Sequence, residues 1–153
     1  WDCIDRAQKP VIASHSNARQ VHDHPRNLTD EQLQAIAKTD GVIGINFYTK
    51  FIGPSGKAKL AGLLKHIEHI LEVAGENAVG LGADFDGMYS LPKPVTGVES
   101  LYTLFNALAR MNYTEDLIEK IAGQNFLRIF RNTLEHTGNY KTKQTTGINF
   151  HTE

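Results

Sequence analysis

The chain has 153 residues, of which 41% are hydrophobic, 16 are basic and 17 are acidic, so its net charge is −1. This length and composition suffice for one ordinary core, and the balanced charge argues against a nucleic-acid partner. The apolar runs are shorter than the roughly 18 residues of a membrane-spanning helix, no signal-peptide pattern is visible, and a single cysteine excludes an internal disulfide. We therefore expect a soluble protein, cytoplasmic or in another aqueous compartment.

Three short runs of apolar and small residues predict buried strands. They cover residues 11–14, 42–47 and 78–84, and none of them alternates strictly between polar and apolar side chains. Continuous apolar runs are typical of strands covered on both faces, as in parallel sheets.

Helical patterns separate and follow these strands. Thr29 and Gln32 match a capping box at the start of the first helix, and Gly41 is expected to end it. The second helix has apolar residues at helical spacing over 60–74, and Gly75 is its expected C-cap. The opening WDCIDR, at residues 1–6, is typical of the end of a helix. Three further helical patterns follow the third strand, at 98–110, 114–122 and 124–136. This order predicts an α/β fold of βαβ units over residues 1–136, followed by a polar tail over 137–153.

The predicted strands end on residues that can do chemistry. The motifs there are SHS at 14–16, NFY at 46–48 and DFDG at 84–87. Because ligands bind at the carboxyl ends of strands in parallel α/β folds, we expect these side chains to share one edge. A histidine, an amide and a carboxylate pair at one edge indicate a metal or acid–base site.

The candidates also have ordinary structural explanations. His15 could hydrogen-bond a neighbouring backbone group. Asp84 and Asp86 could be turn residues, although Asp84 fits a turn less well because it closes the strand. Arg26 could form a surface salt bridge, whereas a guanidinium on such a loop also suits a substrate carboxylate.

Four other histidines could be ligands or simple surface residues. His22 and His24 are two apart, but the turn formers around them favour a solvated loop. His66 and His69 fall beside the apolar face of the second helix, so we expect them at the boundary or facing solvent.

The segment PVIASHSNARQVHDHPRNLTDEQLQAIAKTDGVIGINFY resembles the membrane dipeptidase family, peptidase family M19, and so do AVGLGADFDGM and IAGQNFLRIF. The resemblance extends from Lys9 to Phe130 with the motifs in the family's order. It implies that the chain is the C-terminal part of a (β/α)8 TIM-type barrel. It also implies a zinc-dependent dipeptidase whose complete site holds two zinc ions.

The resemblance implies roles for individual residues. His15 matches a zinc ligand, Arg26 matches the arginine that holds the free carboxylate of the dipeptide, and Asp84 matches the acidic residue that shuttles a proton. Tyr48 is a weaker candidate for the wall of the substrate pocket. These roles agree with general chemistry, since zinc lowers the pKa of bound water to about 7 and a nearby carboxylate can pass a proton to the leaving amine.

The family's other metal ligands lie upstream of the part that this chain matches, so His15 is the one expected zinc ligand. A catalytic zinc needs about three protein ligands, and three strands cannot close a barrel. We therefore expect a fragment that is inactive alone and self-associates through its open sheet edge. Its expected partners are a dipeptide, the missing N-terminal part of the barrel and, in a homodimer, a second copy. Two alternatives stay open: an inactive complementing or assembly module, and another amidohydrolase-type metal hydrolase, against which the DHPRN loop argues.

Overall fold

The structure is a computed structural model that describes residues 1–54 and 57–135. Three strands, β1 (Ile12–Ala13), β2 (Val42–Ile45) and β3 (Val79–Leu81), form one parallel sheet in chain order. The predicted α/β order is therefore confirmed. The predicted polar tail over 137–153 lies outside the described residues.

One short helix precedes the first strand, and other helices connect the strands and follow the last of them. They are α1 (Asp2–Arg6), α2 (Asp30–Lys38), α3 (Thr49–Ile52), α4 (Leu60–Ala74), α5 (Leu101–Arg110), α6 (Glu115–Glu119) and α7 (Asn125–Glu135). The pattern predicted over 114–122 is helical for a shorter stretch than expected, because α6 gives way at Lys120 to a wider π turn that leads into α7. None of the helices in the described part of the chain combines the length and apolar character needed to cross a membrane.

The first long helix begins as its sequence predicts. The Gln32 amide donates to Thr29 Oγ1, and the Thr29 amide donates to Gln32 Oε1 at 3.0 Å, which completes the capping box. At the other end, the left-handed residue is Asp40, with φ 60°, rather than Gly41. The Gly41 amide instead donates to the Ile36 carbonyl at 3.1 Å and so satisfies one of the last carbonyls of the helix.

The core lies between the sheet and two helices. Every residue of β2 is buried, since it has a strand on each side and α2 packs against it. The helix α4 packs on α2 and β3, and its Leu63, Ile67 and Ile70 are fully buried. Burying each such side chain contributes about 1.5–3 kcal/mol, so this layer holds the strand ends in place.

The strands are shorter than their apolar runs, but the backbone beyond them remains tied together. The Ser16 amide donates to the Gly44 carbonyl at 2.8 Å, and the Phe47 amide donates to the Ala83 carbonyl at 3.3 Å. The three polar motifs therefore start from one edge of the sheet, as predicted.

Candidate active site

His15 lies in a segment that folds across the ends of the neighbouring strands. A Cβ atom at Gly44 or at Gly82 would collide with the Ser14 carbonyl, so glycine on both strands is what allows this approach. His15 Nε2 lies 2.8 Å from Arg26 Nη2, and His15 Nδ1 lies 2.8 Å from Ser14 Oγ. Because a guanidinium can only donate, His15 Nε2 accepts, and the ring is the neutral tautomer that donates from Nδ1 to Ser14.

Arg26 presents an exposed guanidinium at this edge. Its Cζ lies 5.7 Å from the centroid of the Phe51 ring, and its amide donates to His24 Nδ1 at 3.1 Å. Among the described residues, no acidic side chain forms an ion pair with Arg26. The salt-bridge explanation is therefore not what the structure shows for this residue.

The loop that carries Arg26 is attached to α3 by hydrogen bonds from its side chains to backbone carbonyls. Asn27 is 1% exposed, and its Nδ2 donates to the His22 carbonyl at 2.9 Å and to the Phe51 carbonyl at 2.8 Å. His22 Nε2 donates to the Lys50 carbonyl at 3.2 Å. His22 and His24 are partly buried rather than freely solvated, and partial burial, together with His22 and Arg26 nearby, lowers the pKa of His24. These two histidines thus help to shape the loop.

His66 is fully buried, so the prediction that it would lie at the boundary or face solvent is wrong. Its Nδ1 accepts from the Ala18 amide and its Nε2 donates to the Ile52 carbonyl, both at 3.2 Å. Burial lowers the pKa of His66 to about 4, because a charged ring would lose its hydration there. The ring therefore joins α4 to the segment that carries His15. His69, in contrast, is the predicted boundary residue, and its Nε2 lies 2.7 Å from Asp30 Oδ1.

Asp84 follows the third strand in a left-handed conformation, with φ 62° and ψ 39°. The Gly87 amide donates to its carbonyl at 3.0 Å, so the backbone of Asp84 does take part in a turn. Its carboxylate is directed elsewhere: Asn46 Nδ2 donates to Asp84 Oδ2 at 3.3 Å. The left-handed region costs a non-glycine residue about 1–2 kcal/mol, and such residues persist where their surroundings hold them in place.

Two fully buried asparagines connect the three motifs. Asn17 Nδ2 donates to the Asn46 carbonyl at 2.9 Å, and Asn17 Oδ1 accepts from the Asn46 amide at 3.0 Å. The side chain of Asn46 in turn contacts Asp84. The structure thus brings His15 and Arg26 into direct contact and links Asp84 to them through Asn46 and Asn17. The sequence patterns did not predict a role for Asn17. The only sequence signal for such a role was its position two residues after His15.

The described residues do not make a complete zinc site. Within residues 1–54 and 57–135, no group of three or more His, Cys, Asp or Glu side chains could hold a metal ion. Both ring nitrogens of His15 are in contact with Ser14 and Arg26. Since catalytic zinc needs about three protein ligands, His15 can supply at most a part of such a centre.

Comparisons with known proteins show what this chain is similar to. The family model for the membrane dipeptidases, peptidase family M19, matches residues 1–144. An uncharacterized protein in the pqqA 5′ region of Klebsiella pneumoniae is 38% identical over 136 residues, which cover 86% of this chain and 50% of that protein. An uncharacterized dipeptidase of Schizosaccharomyces pombe is 39% identical over 132 residues, which cover 85% of this chain and 32% of that protein. The chain thus spans half or less of the length of these curated relatives.

A solved structure shows the same fold. The crystal structure of a metallopeptidase from Rhodobacter sphaeroides, liganded with a phosphinate mimic of the dipeptide L-Ala-D-Ala, has a TM-score of 0.81 at 34% identity. The match covers 86% of this chain and 38% of that one. It confirms the prediction that the three strands and their helices correspond to the C-terminal part of a TIM-barrel dipeptidase. The chain therefore belongs to the membrane dipeptidase family, peptidase family M19.

Proposed function

We propose that the protein to which this chain belongs is a zinc-dependent dipeptidase, in which Arg26 holds the substrate carboxylate and Asp84 transfers protons. The observation that carries this proposal is the Arg26 guanidinium, which is exposed at the carboxyl edge of the sheet and contacts His15 at 2.8 Å. Among the described residues it forms no ion pair with an acidic side chain. A cation in this position can bind an anionic substrate group.

Arg26 has the geometry to bind a carboxylate with two hydrogen bonds. A guanidinium has five N–H donors; one of them, on Nη2, contacts His15 in this structure and is released if His15 Nε2 binds a metal ion. The Phe51 ring supports the guanidinium and limits its orientations. If Arg26 binds the free carboxylate of the substrate, the scissile bond must lie a short distance away, and a dipeptide satisfies this requirement.

Asp84 is suited to carry a proton between the attacking water and the leaving amine. Asp84 is exposed and therefore accessible to substrate. Asn46 contacts Asp84 Oδ2, so Oδ1 is the oxygen left to take up and return the proton. A carboxylate in this role contributes typically 10²–10⁴-fold to a rate.

We propose zinc as the metal, with His15 as the ligand that this chain supplies to a site of two ions. A neutral imidazole nitrogen is a common zinc ligand, and His15 Nε2, which carries no hydrogen, would exchange its contact with Arg26 Nη2 for the metal ion. The described residues do not hold an ion on their own. The remaining ligands are therefore expected from parts of the protein outside the described residues, and the reaction needs those parts.

A second candidate function is an inactive complementing or assembly module. The observation in its favour is that β1 and β3 each pair with one strand only within the described residues, so each leaves one edge of the sheet open. An open edge can pair with another segment or a second copy of the chain. The experiment below also separates this candidate, since an inactive module would hydrolyse no dipeptide.

The test compares a dipeptide with its C-terminally amidated form in the intact protein. For Arg26→Ala we expect kcat/KM for the dipeptide to fall about 10- to 150-fold, which corresponds to the about 1.5–3 kcal/mol that hydrogen bonds to a charged group contribute. For the amidated dipeptide kcat/KM should fall only slightly, because this substrate has no carboxylate for Arg26 to bind. Arg26→Lys should give an intermediate loss, since lysine keeps the charge but lacks the fork.

The matched control is Arg131→Ala, which removes another exposed arginine, on α7. Arg131→Ala should leave kcat/KM unchanged for both substrates. An equal loss for the two substrates in Arg26→Ala, or no loss for either, would refute the carboxylate anchor.

A further inference from the structure

We propose that Asn46 is a positioning residue for Asp84, and that the fully buried Asn17 holds Asn46 in the required orientation. The inference rests on the proposed function, because it gives Asp84 its role. It concerns three side chains that come together at the edge of the sheet from the ends of three different strands.

The side chain of Asn46 has one possible orientation. Its Oδ1 accepts from the Tyr48 amide at 2.7 Å, which only an acceptor can do, so the NH2 group must lie on the other side. That group is 3.3 Å from Asp84 Oδ2. Because Asn46 is fully buried, no water competes for its polar atoms. The N–H donor that Asp84 Oδ2 has in this structure therefore comes from Asn46.

Asn17 fixes the backbone of Asn46 in turn. The regular pairing of β1 with β2 includes Ala13 and Ile43, and the backbone contact continues only to Ser16 and Gly44. Beyond that point the Asn17 side chain takes the place of a strand, since it both donates to and accepts from the backbone of Asn46. The backbone carbonyl of Asn17 accepts from the Leu28 amide at 2.8 Å. The segment after β1 thus determines where Asn46 lies.

The effect on Asp84 is a matter of geometry. Asp84 lies beyond the end of β3, with φ 62°, and its side chain is free to rotate unless a contact restrains it. On the far side, Gly87 leaves the room that the carboxylate needs, because a Cβ at Gly87 would collide with Asp84 Oδ1. With Asn46 on Oδ2, rotation of the carboxylate is restrained, and Oδ1 is the oxygen that would take up the reacting proton. A misplacement of about 1 Å at such a group can lower a rate by about 10²-fold.

The experiment is a double-mutant cycle in the intact enzyme with Asn46→Ser and Asp84→Asn. Serine keeps an oxygen that can accept from the Tyr48 amide in the same kind of turn, but its side chain is one bond too short to contact Asp84. We expect Asn46→Ser to lower kcat for a dipeptide by about tenfold while KM changes by less than about twofold, since Arg26 is untouched. In the Asp84→Asn background the same substitution should cause no further loss.

The matched control is Asn125→Ser. Asn125 is 3% exposed, and its Nδ2 donates at 2.8 Å to the carbonyls of Glu76 and Val79, at the opposite end of β3. It should destabilise the fold without the selective loss of kcat. If Asn46→Ser does not fold, Asn46→Thr offers the same turn acceptor with a stiffer side chain and tests the same point.

The outcomes separate the two claims. A kcat within about twofold of the parent in Asn46→Ser, or a full loss repeated in the Asp84→Asn background, would overturn the positioning role while leaving the proposed function standing. An unchanged kcat in Asp84→Asn alone would refute the proposed role of Asp84, and the positioning role with it.

Discussion

Replacing His66 should change how the stability of the protein depends on pH. The ring is fully buried on α4 and is neutral, with Nε2 donating to Ile52 and Nδ1 accepting from Ala18. In the unfolded chain the same ring binds a proton near its ordinary pKa of 6.5, whereas burial lowers the pKa in the folded protein to about 4. Between these values the unfolded state binds more protons, so the folded state loses stability as the pH falls.

The size of the effect follows from the two pKa values. Each pKa unit corresponds to about 1.36 kcal/mol, so the full difference is about 3 kcal/mol, lost below the folded pKa. From about pH 7.5 to about pH 5, His66 should lower the free energy of unfolding by about 2 kcal/mol. Above about pH 7.5 the contribution should be negligible, because the ring is then neutral in both states.

The assay is urea unfolding at several pH values for the parent and His66→Gln. Glutamine can still donate to the Ile52 carbonyl but leaves the Ala18 amide without its acceptor, which costs about 1–3 kcal/mol at every pH. The parent should therefore lose about 2 kcal/mol more than His66→Gln on acidification to about pH 5. Ala61→Gln, at an exposed position of the same helix, is the control and should follow the parent. Parallel curves for the parent and His66→Gln would refute the assignment of a neutral buried ring.

Two further substitutions test the supports of the site. Phe51→Leu removes the aromatic face 5.7 Å from Arg26 Cζ, and since an exposed cation–π contact contributes about 0.5–1 kcal/mol, KM for a dipeptide should rise about two- to fivefold with kcat unchanged. Steady-state kinetics check this, and an unaltered KM would contradict it. Gly82→Ala places a Cβ against the Ser14 carbonyl and should lower the free energy of unfolding by about 1–3 kcal/mol in urea melts. Gly53→Ala, where nothing lies within 4 Å of the new Cβ, should be neutral, and equal effects at the two glycines would argue against the close approach.

Local sequence patterns predicted most of the strands and helices. The apolar runs that became β1, β2 and β3 and the helical spacing of α4 are short-range features, and hydrophobic periodicity reports directly on such elements. The capping box at Thr29 was equally readable, because its two partners are three residues apart. The strand ends were overestimated, since an apolar residue can continue a run after its backbone has left the sheet. The roles of His15, Arg26 and Asp84 came from their motifs and stay predictions.

The sequence patterns did not predict the polar contacts between residues that are far apart in the chain. His66 was expected at the edge of the buried face of α4, but Ala18, which is 48 positions away in the chain, covers it. Helical periodicity shows which residues share a face, and it does not show how wide a surface the rest of the chain will cover. The same holds for Asn17, whose partner Asn46 is 29 positions away.

The order of strands and helices, and the polar residues with which the strands end, follow from local sequence patterns, because both depend on neighbours along the chain. The connection from the end of β1 to Asp84 through Asn17 and Asn46 arises only in the folded chain, and so does the contact of Arg26 with His15. The physical reason is that a buried polar group must find a partner, and which partner it finds depends on the packing of segments that are far apart in sequence.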